Sequence, residues 1–257
     1  MMGRTHATSG MVLALVAPPA LERFGVPVNP GSILVMTVAA AGGAMLPDFD
    51  HRHATLSRAL GPITAVIAMV IEGISGGHRN GTHSILGIGA FTAFTWWMVQ
   101  LGSWPLGLWC GLLLAAGSSA MQVTFTKGST IVHTLICLIG AGLLVNAAVR
   151  DLVPFDLITW GVAIGATAHV AGDLLTRQGC PLLWPAIQTR FKVANLTTDH
   201  FTERVIIGPA LGIAALILLW QLGDLNPAQL LTVPDASLPS AQPLVQFIKT
   251  AISGAAA

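Results

Sequence analysis

The chain has 257 residues, of which 53% are hydrophobic and 9% charged, and its mean hydropathy is +0.73. Soluble domains carry roughly a quarter charged residues, so this composition excludes a water-facing surface and points to a membrane protein. Twelve Lys and Arg stand against eleven Asp and Glu, a balance that argues against a nucleic-acid partner and against an acidic tail.

At the start, Arg4 and the apolar run Met11 to Ala20 have the outline of a secretory signal. Cleavage there would discard His6, and the stronger apolar segments downstream already require a membrane. Ser9 to Leu21 and Ser32 to Met45 are short and are interrupted or ended by Pro18, Pro19 and Pro47. They read as a tilted or re-entrant helical hairpin. Leu60 to Ile74, flanked by Arg58, Glu72 and His78, suits a helix lying at the interface.

From Asn80 to Thr126 there is no Asp, Glu, Lys or Arg, and Gly102, Ser103 and Pro105 divide the run. Each part is near the ~20 residues that a bilayer needs, giving expected helices at 84–101 and 105–125. Ser129 to Val149, Leu157 to Gly172 and Val205 to Gly223 add three more uncharged stretches. The expected fold is therefore all-α, a polytopic transmembrane helical bundle with about five clear spanning helices, the N-terminal hairpin and the interfacial helix. It forms one membrane-embedded domain over residues 1–257, with a flexible tail at 224–257.

Because crossings alternate, each polar cluster falls on a definite side. With the hairpin passing out and back, His6, Asp48, His51, His78, His83, His169 and Asp173 share one face. That face also collects Arg4, Arg52, Arg58, Arg79, Lys127, Arg177, Arg190, Lys192 and Arg204, leaving Arg23, Arg150 and Lys249 opposite. The positive-inside rule makes it cytoplasmic, although arginines beside a site can serve an anionic substrate instead.

Three clusters can carry chemistry. Met45-Leu46-Pro47-Asp48-Phe49-Asp50-His51 ends an apolar helix at a proline and offers three donors suited to zinc, manganese or ferrous iron; the plainer alternative is that its aspartates cap a helix. His78-Arg79-Asn80-Gly81-Thr82-His83-Ser84 folds two histidines around an Asn-Gly turn, or else turns them to headgroups. In Ala168-His169-Val170-Ala171-Gly172-Asp173, the His and Asp lie four apart on one helix face. An ionisable pair in a membrane helix is costly and points to function, although Asp173 can also serve only to orient His169. His133, His53 and His200 read as structural or solvated. Cys110, Cys137 and Cys180 lack the paired spacing of a zinc or redox motif, so free thiols are expected. Nucleophile-elbow, P-loop and dinucleotide signatures are absent from the sequence.

Thr5-His6 together with these three clusters resembles the YdjM-like membrane-bound predicted metal-dependent hydrolases, a family described as LexA-regulated. The motifs are specific as a set and span residues 4–176. By position, the resemblance implies metal-site roles for His6, Asp48, Asp50, His51, His78, His83, His169 and Asp173, with Glu203 a further candidate. Asp48, Asp50, His83 and Asp173 are the expected catalytic groups, and Arg52 and Arg79 the expected substrate-binding ones. Family members commonly carry Pro after the Asp-x-Asp-His run, where this chain has Arg52, a departure that bears on the course of that loop and not on the ligands.

The family is in turn similar to helical zinc-dependent phospholipases C and P1-type nucleases, an analogy of fold. It implies phosphoester hydrolysis at two or more divalent ions, with zinc first and manganese or iron next. The expectation is an inner-membrane hydrolase taking a lipid or lipid-linked phosphoester from the bilayer. The alternatives are a divalent-metal transporter, for which ligands on broken helices near the midplane are expected, and a non-catalytic membrane protein with a structural metal.

Overall fold

A computed structural model describes residues 2–52, 54, 56–124, 129–147, 156–198 and 201–223. The expected tail at 224–257 lies outside them, as do His53, Lys127, Arg150, His200 and Lys249. The helices are α1 (Gly3–Val16), α2 (Pro18–Arg23), α3 (Pro30–Gly43), α4 (Pro62–Ile74), α5 (Ile85–Leu101), α6 (Ser103–Ala120), α7 (Thr130–Ala147), α8 (Asp156–Leu174) and α9 (Gly208–Gly223). Short 3-10 turns at Pro47–Asp50, Leu56–Arg58 and Gly81–His83 join them, and a π-helical stretch, Thr202–Ile207, leads into α9. The described residues form no named strand, only isolated bridges pairing Thr176 with Leu196 and Cys180 with Phe191.

Local chemistry explains where these helices start. Asn29 accepts from the Ser32 amide at 2.9 Å while Ser32 Oγ accepts from the Asn29 amide at 2.8 Å, a reciprocal cap with Pro30 in the first turn of α3. Ser84 Oγ accepts from the Gly87 amide at 3.1 Å and so opens α5 directly after His83. Gly102, at φ 58°, breaks α5 from α6.

α3 is the central helix, packed against α1, α6 and α8. Small residues allow this close approach, as is common where helices meet in lipid. A Cβ on Gly10 of α1 would stand 2.7 Å from the Ala40 carbonyl oxygen, and one on Gly161 of α8 would stand 2.5 Å from that of Met36. A Cβ on Gly165 would drive into the Ala40 carbonyl. Gly165 lies one turn before His169, so this tight contact also sets the position of that imidazole.

The outer faces are apolar, with Ile139 on α7 and Ile213, Leu216 and Trp220 on α9 all exposed. The interior near one end of the bundle is polar, with His6, Asp50, His83, His169 and Asp173 buried. Apolar outside and ionisable inside is the distribution expected in a bilayer.

Five clear spanning helices are not what the structure contains. Three described stretches are long and apolar enough to cross a membrane: Gly31–Asp50, Leu157–Leu174 and Thr202–Leu222. Pro62–Ile74, Ile85–Leu101, Trp104–Ala120 and Thr130–Leu143 are shorter apolar helices. An uncharged run does not reveal where the backbone turns: α6 stops at Ala120, short of the expected 125, and Gln122 follows at φ 62°. Conversely, the segment expected to be a short hairpin arm carries on from α3 through the 3-10 turn at Pro47–Asp50. Pro18 starts α2 and does not interrupt α1.

Candidate metal centre

Four segments meet at one end of the bundle. α1 brings His6, the 3-10 turn after α3 brings Asp48 and Asp50, the turn between α4 and α5 brings His78, Arg79 and His83, and the last turns of α8 bring His169 and Asp173. The imidazoles form a continuous string. His6 stacks on His169 at 3.7 Å between centroids, His169 meets His83 at 5.0 Å, His83 meets His78 at 5.7 Å, and His78 meets His51 at 4.6 Å.

Two overlapping groups have the spacing of metal ligands: Asp48 with His83 and His169, and His6 with His169 and Asp173. In the first, Nε2 of His83 and Nε2 of His169 are 3.2 Å apart. Asp48 Oδ1 lies 3.5 Å from the former and 3.6 Å from the latter. Donor atoms on a tetrahedral ion with bonds of 2.0–2.1 Å are about 3.3 Å apart. Asp173 Oδ2 adds a second carboxylate, 3.7 Å from His83 Nε2 and 3.8 Å from His169 Nε2.

The surrounding hydrogen bonds fix the protons on both rings. Nδ1 of His169 is 2.6 Å from the Ala44 carbonyl oxygen, which can only accept, so Nδ1 donates and Nε2 carries the lone pair. Thr82 Oγ1 donates to Asp50 Oδ2 at 2.5 Å, so its oxygen must accept from Nδ1 of His83, 3.0 Å away. His83 is thereby in the same tautomer. Two buried lone pairs therefore point at each other across 3.2 Å, an arrangement that repels unless a cation lies between them. His6 fits the same reading, because both of its ring nitrogens are buried without a hydrogen-bond partner, Nε2 being 3.4 Å from Asp173 Oδ1. Among the described contacts, the cluster holds three carboxylates, Asp48, Asp50 and Asp173, and one guanidinium, that of Arg79 on Asp173, so a divalent cation also suits its charge.

Asp50 has a different position from the other two aspartates. Its Oδ1 accepts from His78 Nδ1 at 2.8 Å, and its Oδ2 accepts from the Arg79 amide at 3.1 Å and from Thr82. These bonds orient the two histidines of the turn instead of aiming Asp50 at the His83–His169 gap, and the side chain of His78 stays 33% exposed. Arg79 is held at φ 61°, a backbone region that non-glycine residues seldom occupy. Its Nη2 lies 3.2 Å from Asp173 Oδ2, while Nη1 is buried without a hydrogen-bond partner.

The remaining expected residues divide. His51 joins the string at its outer end. Arg52, with its side chain 67% exposed, pairs at 3.4 Å with Glu72 of α4. Glu203 is buried and accepts from the Met2 amide at 2.6 Å, tying the start of α9 to the start of α1. His133 lies elsewhere, linking α7 to α6 through Ser118 Oγ at 3.0 Å. Burial, strengthened by the nearby Asp173 charge, pushes the Cys180 thiol up to about 12, so it stays protonated and supplies no thiolate. Neither the Thr82 hydroxyl nor the Ala44 carbonyl is among the site groups expected from the sequence. The hydroxyl was signalled by its place beside His83; a backbone carbonyl from another helix leaves no signal.

Fold and cluster together define a membrane-embedded helical protein with a buried His/Asp group able to hold a metal ion. The chain belongs to the YdjM inner membrane protein family, which it matches over residues 1–128 and 117–228. No curated protein and no solved structure matches it.

Proposed function

We propose that the protein is a membrane-bound hydrolase that holds a divalent cation, zinc by preference, between Asp48, His83 and His169, and that it cleaves a phosphoester of a lipid or lipid-linked substrate. The observation that carries this reading is the pair of Nε2 lone pairs 3.2 Å apart, each fixed by a hydrogen bond on the far side of its ring. A cation there supplies Lewis acidity toward a phosphoryl oxygen and makes a water more acidic.

The protein's own groups account for the rest. Asp48 (side chain 22% exposed) and His78 (33%) form the open side, so substrate approaches past them. Nη1 of Arg79 is the donor that orients an anionic oxygen, with the guanidinium held from behind by Asp173. Oδ2 of Asp173, within 4 Å of both ligand imidazoles, is the acceptor for the proton of the attacking water. Asp50 positions the turn. His169 belongs to both ligand groups but has one lone pair to give, so any second ion is held by His6 and Asp173 without it. Clustering at the helix ends favours an enzyme over a transporter, whose ligands would lie on broken helices near the midplane.

Proteoliposomes loaded with zinc or manganese and offered phosphoester, carboxylic ester and amide substrates test this reading. Release of phosphate or headgroup is expected; cleavage of amides or carboxylic esters alone would reject the phosphoester assignment. The arginine-rich site end is read as cytoplasmic, so single cysteines replacing Arg52 and Arg177 should label from that side. Labelling from the opposite side would reverse the orientation.

A further inference from the structure

A second polar cavity lies outside the metal centre, where the N-terminus of α1 meets the C-terminus of α6 and the start of α9. It has a volume of 250 Å³ and is lined by Arg4, Thr5, Thr8 and Arg204, with Met121 and Pro209 as its apolar side. Two guanidinium-bearing residues from separate elements thus border one small space. Thr8 Oγ1 donates to the Arg4 carbonyl at 2.8 Å, which ties the two residues together along the first turns of α1. Thr5 is 1% exposed, yet its hydroxyl has no hydrogen-bond partner. A buried hydroxyl left unsatisfied costs free energy that a ligand accepting its proton would recover.

Glu203 accepts from the Met2 amide and lines a different, far smaller cavity with Thr176, Thr197 and Thr198. His6, although adjacent to Thr5 in sequence, meets Asp173 and His169, so the cavity shares no lining residue with the metal centre.

We propose that this cavity binds a phosphate group, gripped by Arg4 and Arg204 and completed by the Thr5 hydroxyl. Guanidinium forks match tetrahedral oxyanions and form their strongest hydrogen bonds with them. The cavity lies at the ends of helices, and arginines attract the headgroups of anionic phospholipids. A phospholipid or free phosphate can supply the group. The assignment is independent of hydrolysis at the metal centre.

The test uses the full chain in neutral detergent, with three probes: dihexanoyl phosphatidylglycerol, inorganic phosphate, and dihexanoylglycerol as a phosphate-free control. The reading is the probe-dependent rise in melting temperature. The lipid phosphate is expected to stabilise saturably and the control not at all. Arg4→Gln and Arg204→Gln should each raise the midpoint concentration on the order of tenfold or more, and Thr5→Val about tenfold, the size of one hydrogen bond to a charged group. Arg23→Gln, which removes an equal charge at α2, should change nothing. If either arginine variant fails to fold, Thr5→Val, which keeps the side-chain shape, still decides the matter.

An arginine-dependent midpoint equally low for inorganic phosphate would assign the site to free phosphate; a much lower one for the lipid would assign it to headgroups. The proposal is overturned if the midpoint is unchanged in these variants, or if dihexanoylglycerol stabilises as well as its phosphorylated counterpart. It is equally overturned if the response survives in both arginine variants but vanishes in Asp48→Asn, because the phosphate would then sit at the metal centre.

Discussion

Replacing His169 with alanine is expected to strip the protein of tightly bound metal. Its Nε2 faces Nε2 of His83 at 3.2 Å beside Asp48, and its Nδ1 is already committed to the Ala44 carbonyl. Losing a partner that merely orients a metal ligand costs roughly 10–100-fold in affinity, and removing the ligand itself should exceed that. Asp48→Asn keeps shape and lies on the open side of the site, so it should lose metal without unfolding. Thr82→Val should fall in the milder range, because it frees the His83 ring from its Asp50-anchored bond without removing a donor. His133→Ala, at the α6–α7 contact, should retain full metal. Elemental analysis of the purified variants distinguishes these outcomes, and equal loss in all four would show that the cluster is not where the metal binds.

The second large effect concerns Arg79. The proposed anion-orienting role of Arg79 rests on its unpartnered Nη1 and its Nη2 contact to Asp173. Arg79→Gln is expected to raise KM about 10–100-fold for a phosphoester, the worth of one or two hydrogen bonds to a charged group. kcat should fall less, since such binding is largely common to substrate and transition state. Arg79→Lys should not restore it, because an ammonium cannot reach both Asp173 and a substrate oxygen with the geometry of a planar fork. The contrary result is an unchanged KM with kcat alone reduced, which would make Arg79 a support for Asp173 and not a substrate contact. Arg52→Gln should alter neither constant greatly, as its side chain is exposed and paired with Glu72.

Much of the site was visible in the sequence for one physical reason: an ionisable side chain in an apolar helix has no inexpensive place to be. His169 and Asp173 in α8, and the Asp48–His51 run after α3, stand out on that ground alone. Their mutual distances do not follow from spacing. What brings His6 against His169 is the small-residue contact of α1, α3 and α8, through Gly10, Ala40 and Gly165, and a lone glycine says nothing about its neighbour. The division between donors and supporting residues was hidden for a similar reason. Asp48 and Asp50 are two residues apart and look equivalent, but the 3-10 turn points them in different directions, Asp50 into the His78–Thr82 turn and Asp48 toward the histidine pair. Arg52 and Arg79 likewise look interchangeable beside their histidines until the fold gives one to Glu72 and the other to Asp173. The helix count failed where length was inferred from missing charge: Gly102 was legible as a break, but the uncharged run past Ala120 hid the end of α6, where Gln122 turns the backbone at φ 62°.

The most direct measurement is a metal titration of chelator-stripped protein in proteoliposomes, with bound zinc and released phosphate followed in the same samples. Wild type should regain turnover in proportion to the metal bound, the first equivalent restoring most of it, while Asp48→Asn remains inactive at the same total zinc. Full turnover in the stripped protein, or stoichiometric binding that restores no cleavage of any phosphoester, would contradict a metal-dependent phosphoester hydrolase built on Asp48, His83 and His169.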